Sequence, residues 1–380
     1  MKLKPSISWS SGLMIHYPYL MMFKATLLTS LILTSLLATL IAGSEPKFPL
    51  QAIPESSKSQ FLKRQAAPHV FVDPGYRIWG MAVIKWSDGK YHGYYARWPE
   101  KLGHNAWMTH CEIAHAVADK PEGPFTHVNT VLSSKHLEGW DVNNAHNPAI
   151  CIADGKICLY YISNDLKKIY DKDPAKFYPD NQWFVKNRKA LRNSQRIGVA
   201  IASSPEGPFE RHPSPVVEPH GRFKNIAVNP AVTYQNGTFT MIMKGDDIRK
   251  DGWFRIQLVG HSSSPTGPFT FQPTPVYDRA QTEDAGIWYD QKDKTYYMAC
   301  HVMGKRDLAL FHSTDGNAWS MTAIPLFMKK QFRLGDGTIW NPARVERPFI
   351  LTDDQGSPIM LYLAVADKNA NGNIAVPFKK

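Results

Sequence analysis

The sequence predicts an all-β protein, a five-bladed β-propeller of four-stranded antiparallel blades. One hairpin signature occurs five times between residues 80 and 363: an apolar run, a tight polar turn and a returning aromatic run. A second signature, a strand followed by a Gly/Pro turn and then an aromatic residue, follows four of the five. No long amphipathic helical pattern appears after residue 70, while 25 Gly and 28 Pro supply the turns. Two hairpins per unit make four strands, and radial repetition of four-stranded sheets is a propeller.

The elements run in order. The first hairpin spans 80–84 and 94–97 around Asp88-Gly89-Lys90. The second spans 146–150 and 159–161 around Asp154-Gly155-Lys156. The third spans 229–232 and 241–244 around Gln235-Asn236-Gly237. The fourth opens on Glu283-Asp284, turns at 291–294 and returns to His301. The fifth spans 346–350 and 361–363 around Asp354-Gln355-Gly356. The second signature reads Pro121-Glu122-Gly123-Pro124-Phe125, Pro205-Glu206-Gly207-Pro208-Phe209, Pro265-Thr266-Gly267-Pro268-Phe269 and Asp315-Gly316-Asn317-Ala318-Trp319. The fifth unit lacks its C-terminal part, and the β-like run 69–72 is expected to supply the missing outer strand. The competing fold is a two-sheet sandwich, which rarely repeats one turn motif four times.

With 380 residues, 43% hydrophobic and 20% charged, the chain can bury a large core and does not read as disordered. Residues 1–44 read as a signal peptide with an N-terminal extension. Lys24 precedes the apolar run 25–42, and Ala42-Gly43-Ser44 is a small-residue cleavage pattern. An uncleaved membrane anchor is the rival reading. Residues 45–68 read as a linker or an edge wrap, and 69–380 as a single propeller domain. The expected location is periplasmic or extracellular, with no stable membrane insertion after cleavage. The net charge is +11, and residues 1–44 hold three lysines and no acid, so +8 belongs to the rest. That sign favours anionic partners such as an acidic polysaccharide. No Lys/Arg cluster resembles a nucleic-acid footprint, so nucleic acid is not an expected partner. The four cysteines match no zinc spacing. Cys151 and Cys158 are expected to face each other across the Asp154-Gly155 turn, either bridged or as buried thiols. Residues 165–195 are rich in Lys, Arg and aromatics, a loop long enough for a lid.

In a propeller the first strand of each blade starts beside the axis and the second returns to the same end. The first-strand starts are His146, Asn147, Asn229, Glu283, Asp284, Glu346 and Arg347. The second-strand ends are Arg97, Asn164, Asp165, Lys244, Asp246, Asp247 and His301. These converge on one polar cup, which Asp141 is expected to enter from just upstream of blade two. Buried polar groups need partners or a purpose. Salt bridges plugging the channel are one purpose; paired carboxylates for glycosidic cleavage are another. No motif calls for a cofactor, although a divalent cation could sit at the centre of such a cup.

Over residues 70–367 the chain resembles the five-bladed propeller glycoside hydrolases, the family 43 arabinanases and xylosidases with families 32, 68 and 117. The resemblance rests on the five first-strand starts and on Glu283-Asp284-Ala285. It is closer still to a glycoside-hydrolase-like branch, through Asp88-Gly89-Lys90-Tyr91-His92, Ala96-Arg97-Trp98-Pro99, His146-Asn147-Pro148, Gln195-Arg196-Ile197-Gly198 and Glu346-Arg347-Pro348. The resemblance implies Glu283 as general acid, its pKa raised by an apolar wall. Asp284, next to it, is expected on the opposite side of an ideal strand, orienting a neighbour. The family's blade-one Asp, its base, falls near Gly80 or Met81, and its blade-three Asp falls on Asn229. Asp141 is therefore the leading base, with Asp73 as the other candidate. Arg97, His146, Asn147, Asn229, Lys244, Asp284, His301, Glu346 and Arg347 are the expected substrate contacts. The implied activity is an exported glycoside hydrolase on an oligo- or polysaccharide of plant or algal origin, with an acidic sugar favoured. The alternatives are a non-catalytic carbohydrate-binding propeller and a polysaccharide lyase.

Overall fold

Tight turns set the register of every innermost hairpin. In blade two, Asp154 and Gly155 both take left-handed backbone (φ 49° and 72°), the mirror-image two-residue turn that matches strand twist. Ala153 then pairs with Lys156 and Cys151 with Cys158. Both cysteines are free, buried thiols, directly opposed as expected. In the computed structural model, which describes residues 46–380 apart from 171, 174 and 175, five hairpins each grow into a four-stranded antiparallel sheet. The export signal expected over residues 1–44 lies outside the described residues. No helix among the described residues is long and apolar enough to cross a membrane.

Blade one holds Tyr76–Lys85, Tyr91–Pro99, Glu112–Ala118 and Thr126–Leu132. Blade two holds His146–Ala153, Lys156–Asn164, Gln195–Ala202 and Glu210–Arg211. Blade three holds Phe223–Gln235, Thr238–Asp247, Arg255–Ser262 and Thr270–Phe271, and blade four Thr282–Asp290, Thr295–Val302, Asp307–Ser313 and Ser320–Lys329. Blade five takes Arg344–Thr352, Pro358–Asp367 and Ala370–Pro377 from the C-terminal end, and its outer strand, Val70–Phe71, from the N-terminal side. Val70 pairs with Ile374 and Phe71 with Asn373, so the ring closes as the sequence predicts.

Each seam between neighbouring blades is one apolar core. Tyr95, Met81 and Tyr362 fill the seam between blades five and one, and Ile150, Leu159 and Ala82 that between one and two. Val199 and Met241 join two to three, Met298 and Ile242 three to four, and Leu361 and Trp288 four to five. Residues 46–68 are the edge wrap rather than a loose linker. Ile53 and Phe61 are fully buried against blades four and five, and Phe61 comes from a short helix, Ser56–Leu62.

Residues 165–195 hold a helix, Asn181–Asn193, where the sequence reads as a loop. Asp180 caps it by accepting from the Trp183 N–H. Only Phe184 and Leu191 are buried from it, so its apolar stripe is too narrow to stand out from a basic surrounding sequence. They pack with Met108, Leu166 and Phe177 in a satellite core.

The wrap closes the blade-five seam, so Phe61→Ala should cost about 3–5 kcal/mol of stability, the usual range for a buried aromatic. Chemical denaturation measures this. A loss below about 1 kcal/mol would mean that the wrap does not support the ring.

Candidate active site

An ideal strand turns successive side chains to opposite faces. Each innermost strand here breaks that rule once, at the same height. Gly80, Asn147, Asn229, Asp284 and Arg347 all have left-handed backbone, with φ between 51° and 59°. The register with the neighbouring strand slips at each of them. The bulge lets two consecutive residues face the axis. Glu283 and Asp284 therefore line the same cup, and the expectation that Asp284 points away is corrected.

Four of the five bulge residues form a ring around the axis. Asn147 Nδ2 donates to Asn229 Oδ1 (3.0 Å), and Asn229 Nδ2 donates to Asp284 Oδ1 (2.6 Å). Arg347 Nη1 lies 3.6 Å from Asp284 Oδ1, and its Nη2 donates to the Asn147 carbonyl at 3.5 Å. Gly80 is the fifth member and contributes no side chain. Asp284 thus holds Asn229 of the neighbouring blade.

Above this floor opens a cup of about 590 Å³. Blade one contributes Trp79 and Trp98, and the following segment His104 and Trp107. Arg188 and Arg192 come from the inserted helix and Gln195 from the third strand of blade two. Trp253 and Arg255 come from blade three, Arg344 and Glu346 from blade five. Arg192 forks onto Asp246 with two 2.7 Å bonds and stacks on Trp253 at 4.3 Å, which ties the helix to blade three. Arg344 chelates Glu346 at 3.0 and 2.9 Å and lies over the Trp79 ring.

Glu283 sits beside two cations, Lys244 Nζ at 2.9 Å and Arg255 at 3.6 Å, with His301 Nδ1 at 3.9 Å. Burial pushes its carboxyl up, but Lys244, Arg255 and His301 together outweigh burial and hold it at about 2. The sequence-based expectation of a raised pKa is reversed: the apolar wall is present, but the cations dominate. His146, fully enclosed, is held neutral at about 3 by burial first, then by Arg347 and Lys244. Its ring meets Trp107 edge to face at 5.0 Å.

Eight of the expected residues meet in this cup: His146, Asn147, Asn229, Lys244, Glu283, Asp284, Glu346 and Arg347. His301 stands behind Glu283 without lining the cup. The strand ends Asn164, Asp165, Asp246 and Asp247 do not line the cup either, and two of the expected catalytic and contact residues lie elsewhere. Asp141 accepts from the Tyr161 hydroxyl and pairs with Arg211 in the outer strand of blade two and with His136, so it anchors the 133–145 loop. Arg97 pairs with Asp73 (2.9 Å) and Glu112 (2.8 Å). Its strand neighbours Ala96 and Trp98 line the cup, so strand alternation turns Arg97 outward. Asp73, bound also by the Tyr95 hydroxyl, lies with it. Trp79 and Arg344 escape the sequence reading. Placing Trp79-Gly80 in register with Glu283-Asp284 would have found the first, and strand alternation from Glu346 the second. Among the described residues no group of three or more His, Cys, Asp or Glu side chains is arranged to hold a metal ion.

The fold is that of the five-bladed β-propellers, with the polar cup at one end of its axis. No protein-family model matches the sequence, and no curated protein matches it significantly. Solved structures do. Zg3597, a family 117 glycoside hydrolase produced by the marine bacterium Zobellia galactanivorans, is 17% identical, with 80% of this chain and 85% of that one covered at a TM-score of 0.54. BT0996, in an RGII complex, is 14% identical, with 91% and 95% covered at 0.56. A thermostable family-43 glycoside hydrolase is 12% identical, with 80% and 93% covered at 0.54. At these identities the likeness is one of fold.

Because its pKa lies below the ordinary carboxylate value, the Glu283 ion cluster stabilises the fold at neutral pH, and that contribution fades as pH falls toward 2. Lys244→Met removes the nearest cation and leaves the burial. A carboxyl NMR titration should then place Glu283 above the ordinary 4.5. A value still near 2 would show that Arg255 and His301 suffice.

Proposed function

We propose that this protein is a glycoside hydrolase whose catalytic pair is Glu283 and Glu346. The observation that carries the reading is their equivalent placement. Each directly precedes the left-handed residue of its innermost strand, in adjacent blades, so both face one cup. Trp79, Trp98, Trp107 and Trp253 add amphipathic faces of the kind that bound ligands rest on.

The two carboxylates divide the work by their surroundings. Glu283, held as an anion by Lys244, is the base that takes a proton from water as the water attacks the anomeric carbon. Glu346 is the acid that protonates the departing glycosidic oxygen. Its clamp, Arg344, is half exposed, so water competes for the pairing and a proton can be exchanged there. Hydrolysis balances: water is split between the new hemiacetal and the leaving alcohol. This replaces the assignment of Glu283 as acid and Asp141 as base, since Asp141 is committed to Arg211 away from the cup.

A plant or algal polysaccharide fragment is the proposed substrate, supported by the company the fold keeps: a marine family 117 enzyme and a protein in an RGII complex. Export through the signal expected in residues 1–44 belongs to the same reading, and N-terminal sequencing of secreted protein tests it.

Glu283→Gln should lower turnover of a natural oligosaccharide at least about a hundredfold, the low end for a lost acid or base, and azide should restore part of it. Glu346→Gln should lose as much on the natural substrate but far less on a nitrophenyl glycoside, whose leaving group needs no proton. Near-normal turnover in either variant would overturn the pair, and the opposite leaving-group pattern would exchange the two roles.

A further inference from the structure

We propose that the cup receives a sugar bearing an oxyanion substituent, a carboxylate or a sulfate, on Arg347 and His146. The inference rests on the cup being the substrate site of the hydrolase reading, and it names the substrate class.

Arg347 is held at the axis by a strained backbone: φ 55° is uncommon for a side chain of this size. It is more than nine-tenths buried. Yet its Nε and Nη1 have no hydrogen-bond acceptor, and the nearest carboxylate oxygen, Asp284 Oδ1, stands beyond bonding distance at 3.6 Å. Nη1 offers a donor on one side, and the Asn147 carbonyl at 3.5 Å is the acceptor for Nη2. Nε–H lies on the guanidinium edge it shares with Nη2, the edge that grips a carboxylate or sulfate with two bonds. What lies beside that edge is Gly80. A side-chain carbon there would sit 3.5 Å from Nε, so the missing side chain on blade one leaves a recess next to the fork.

His146 points to the same ligand independently. Its Nε2 receives the Gln195 amide at 3.4 Å, which puts the ring hydrogen on Nδ1, and Nδ1 is buried without a partner. Of the charges acting on its ring, Arg347 has the largest effect. Three buried donors therefore have no acceptor at the floor of one cup, and unmet buried donors are costly unless a ligand meets them. The wider charge agrees. Six cationic side chains line the cup against three carboxylates, and Asp246 neutralises Arg192 from beneath, so positive charge remains in surplus.

The test measures binding and cleavage separately. Isothermal titration of the wild-type protein compares methyl galacturonoside and a methyl galactoside sulfate with uncharged methyl galactoside. One of the two anions should bind at least about tenfold tighter, and the preference should shrink in 0.5 M salt as screening predicts. Which anion wins separates uronate from sulfate ester. In Arg347→Gln, checked for a cooperative melt, the preferred anion should fall to the affinity of the neutral sugar; Arg347→Lys should keep part of the preference. Equal wild-type affinity for all three sugars overturns the inference. So does Arg347→Gln that melts lower but still discriminates, which would make Arg347 an axis salt bridge only. Cleavage of neutral oligosaccharides without anion preference overturns this inference and leaves the hydrolase standing. Anion-selective binding without any cleavage does the reverse.

Discussion

The left-handed residue at the centre of each innermost strand is the constraint on which the top of the molecule depends. A strand that kept its alternation would show the axis one residue and bury the next in the seam. The bulge shows it two, so each blade offers the cup a pair: Trp79-Gly80, His146-Asn147, Val228-Asn229, Glu283-Asp284 and Glu346-Arg347. Proline follows in three of the five, at Pro148, Pro230 and Pro348. A bulge is one of the few places in a sheet where a missing N–H does no harm. Gly and Asn take the left-handed backbone readily. Asp284 tolerates it, and Arg347 takes it at a cost on the order of 1–3 kcal/mol. The surrounding ladder, intact on both sides of the slip, over-determines the conformation.

Electrostatics in the cup follow from that geometry. The floor ring joins two neutral amides, one carboxylate and one guanidinium, so it is neutral as a unit. The level above holds Glu283 and Glu346, each already facing a cation. The cations hold Glu283 ionised against its burial, whereas burial keeps His146 neutral and the cations Arg347 and Lys244 add to it. The burial of the two groups is similar in kind, and only the sign of the charge each carries makes the outcomes differ.

Much of this was legible in the residues. Five turn signatures and the repeated Gly-Pro-Phe corner are local chemistry, and they specify the blades whatever the rest of the chain does. The strand from 69–72 was legible too, because a closed ring needs a fourth strand and only one apolar run remained. What failed was side-chain direction. Arg97 ends its strand at the right level but points outward beside Asp73 and Glu112, because that strand carries no bulge to break its alternation there. Asp141 stands just upstream of the blade-two start, but its loop crosses the outer flank, where Arg211 claims it. The pKa of Glu283 could not be read from Ala285 and Trp288 alone, since Lys244 and Arg255 arrive from another blade.

The walls of the cup are uneven, and that bears on how a chain of sugars would lie. Blade one raises Trp98, His104 and Trp107, blade two an entire helix, and blade three Trp253. From blades four and five, only residues at strand starts line the cup: Glu283, Asp284, Arg344, Glu346 and Arg347. The helix is held over by one buried fork, Arg192 on Asp246, with Asn225 bonded to the same carboxylate. The low side is thus the side of Glu283 and Glu346, and the high walls carry most of the aromatic faces. A sugar resting on the tryptophans would present its linkage toward the two carboxylates, and the remainder of the substrate would run toward blades four and five, where Lys330 feels the charges of Glu346, Asp284 and Glu283.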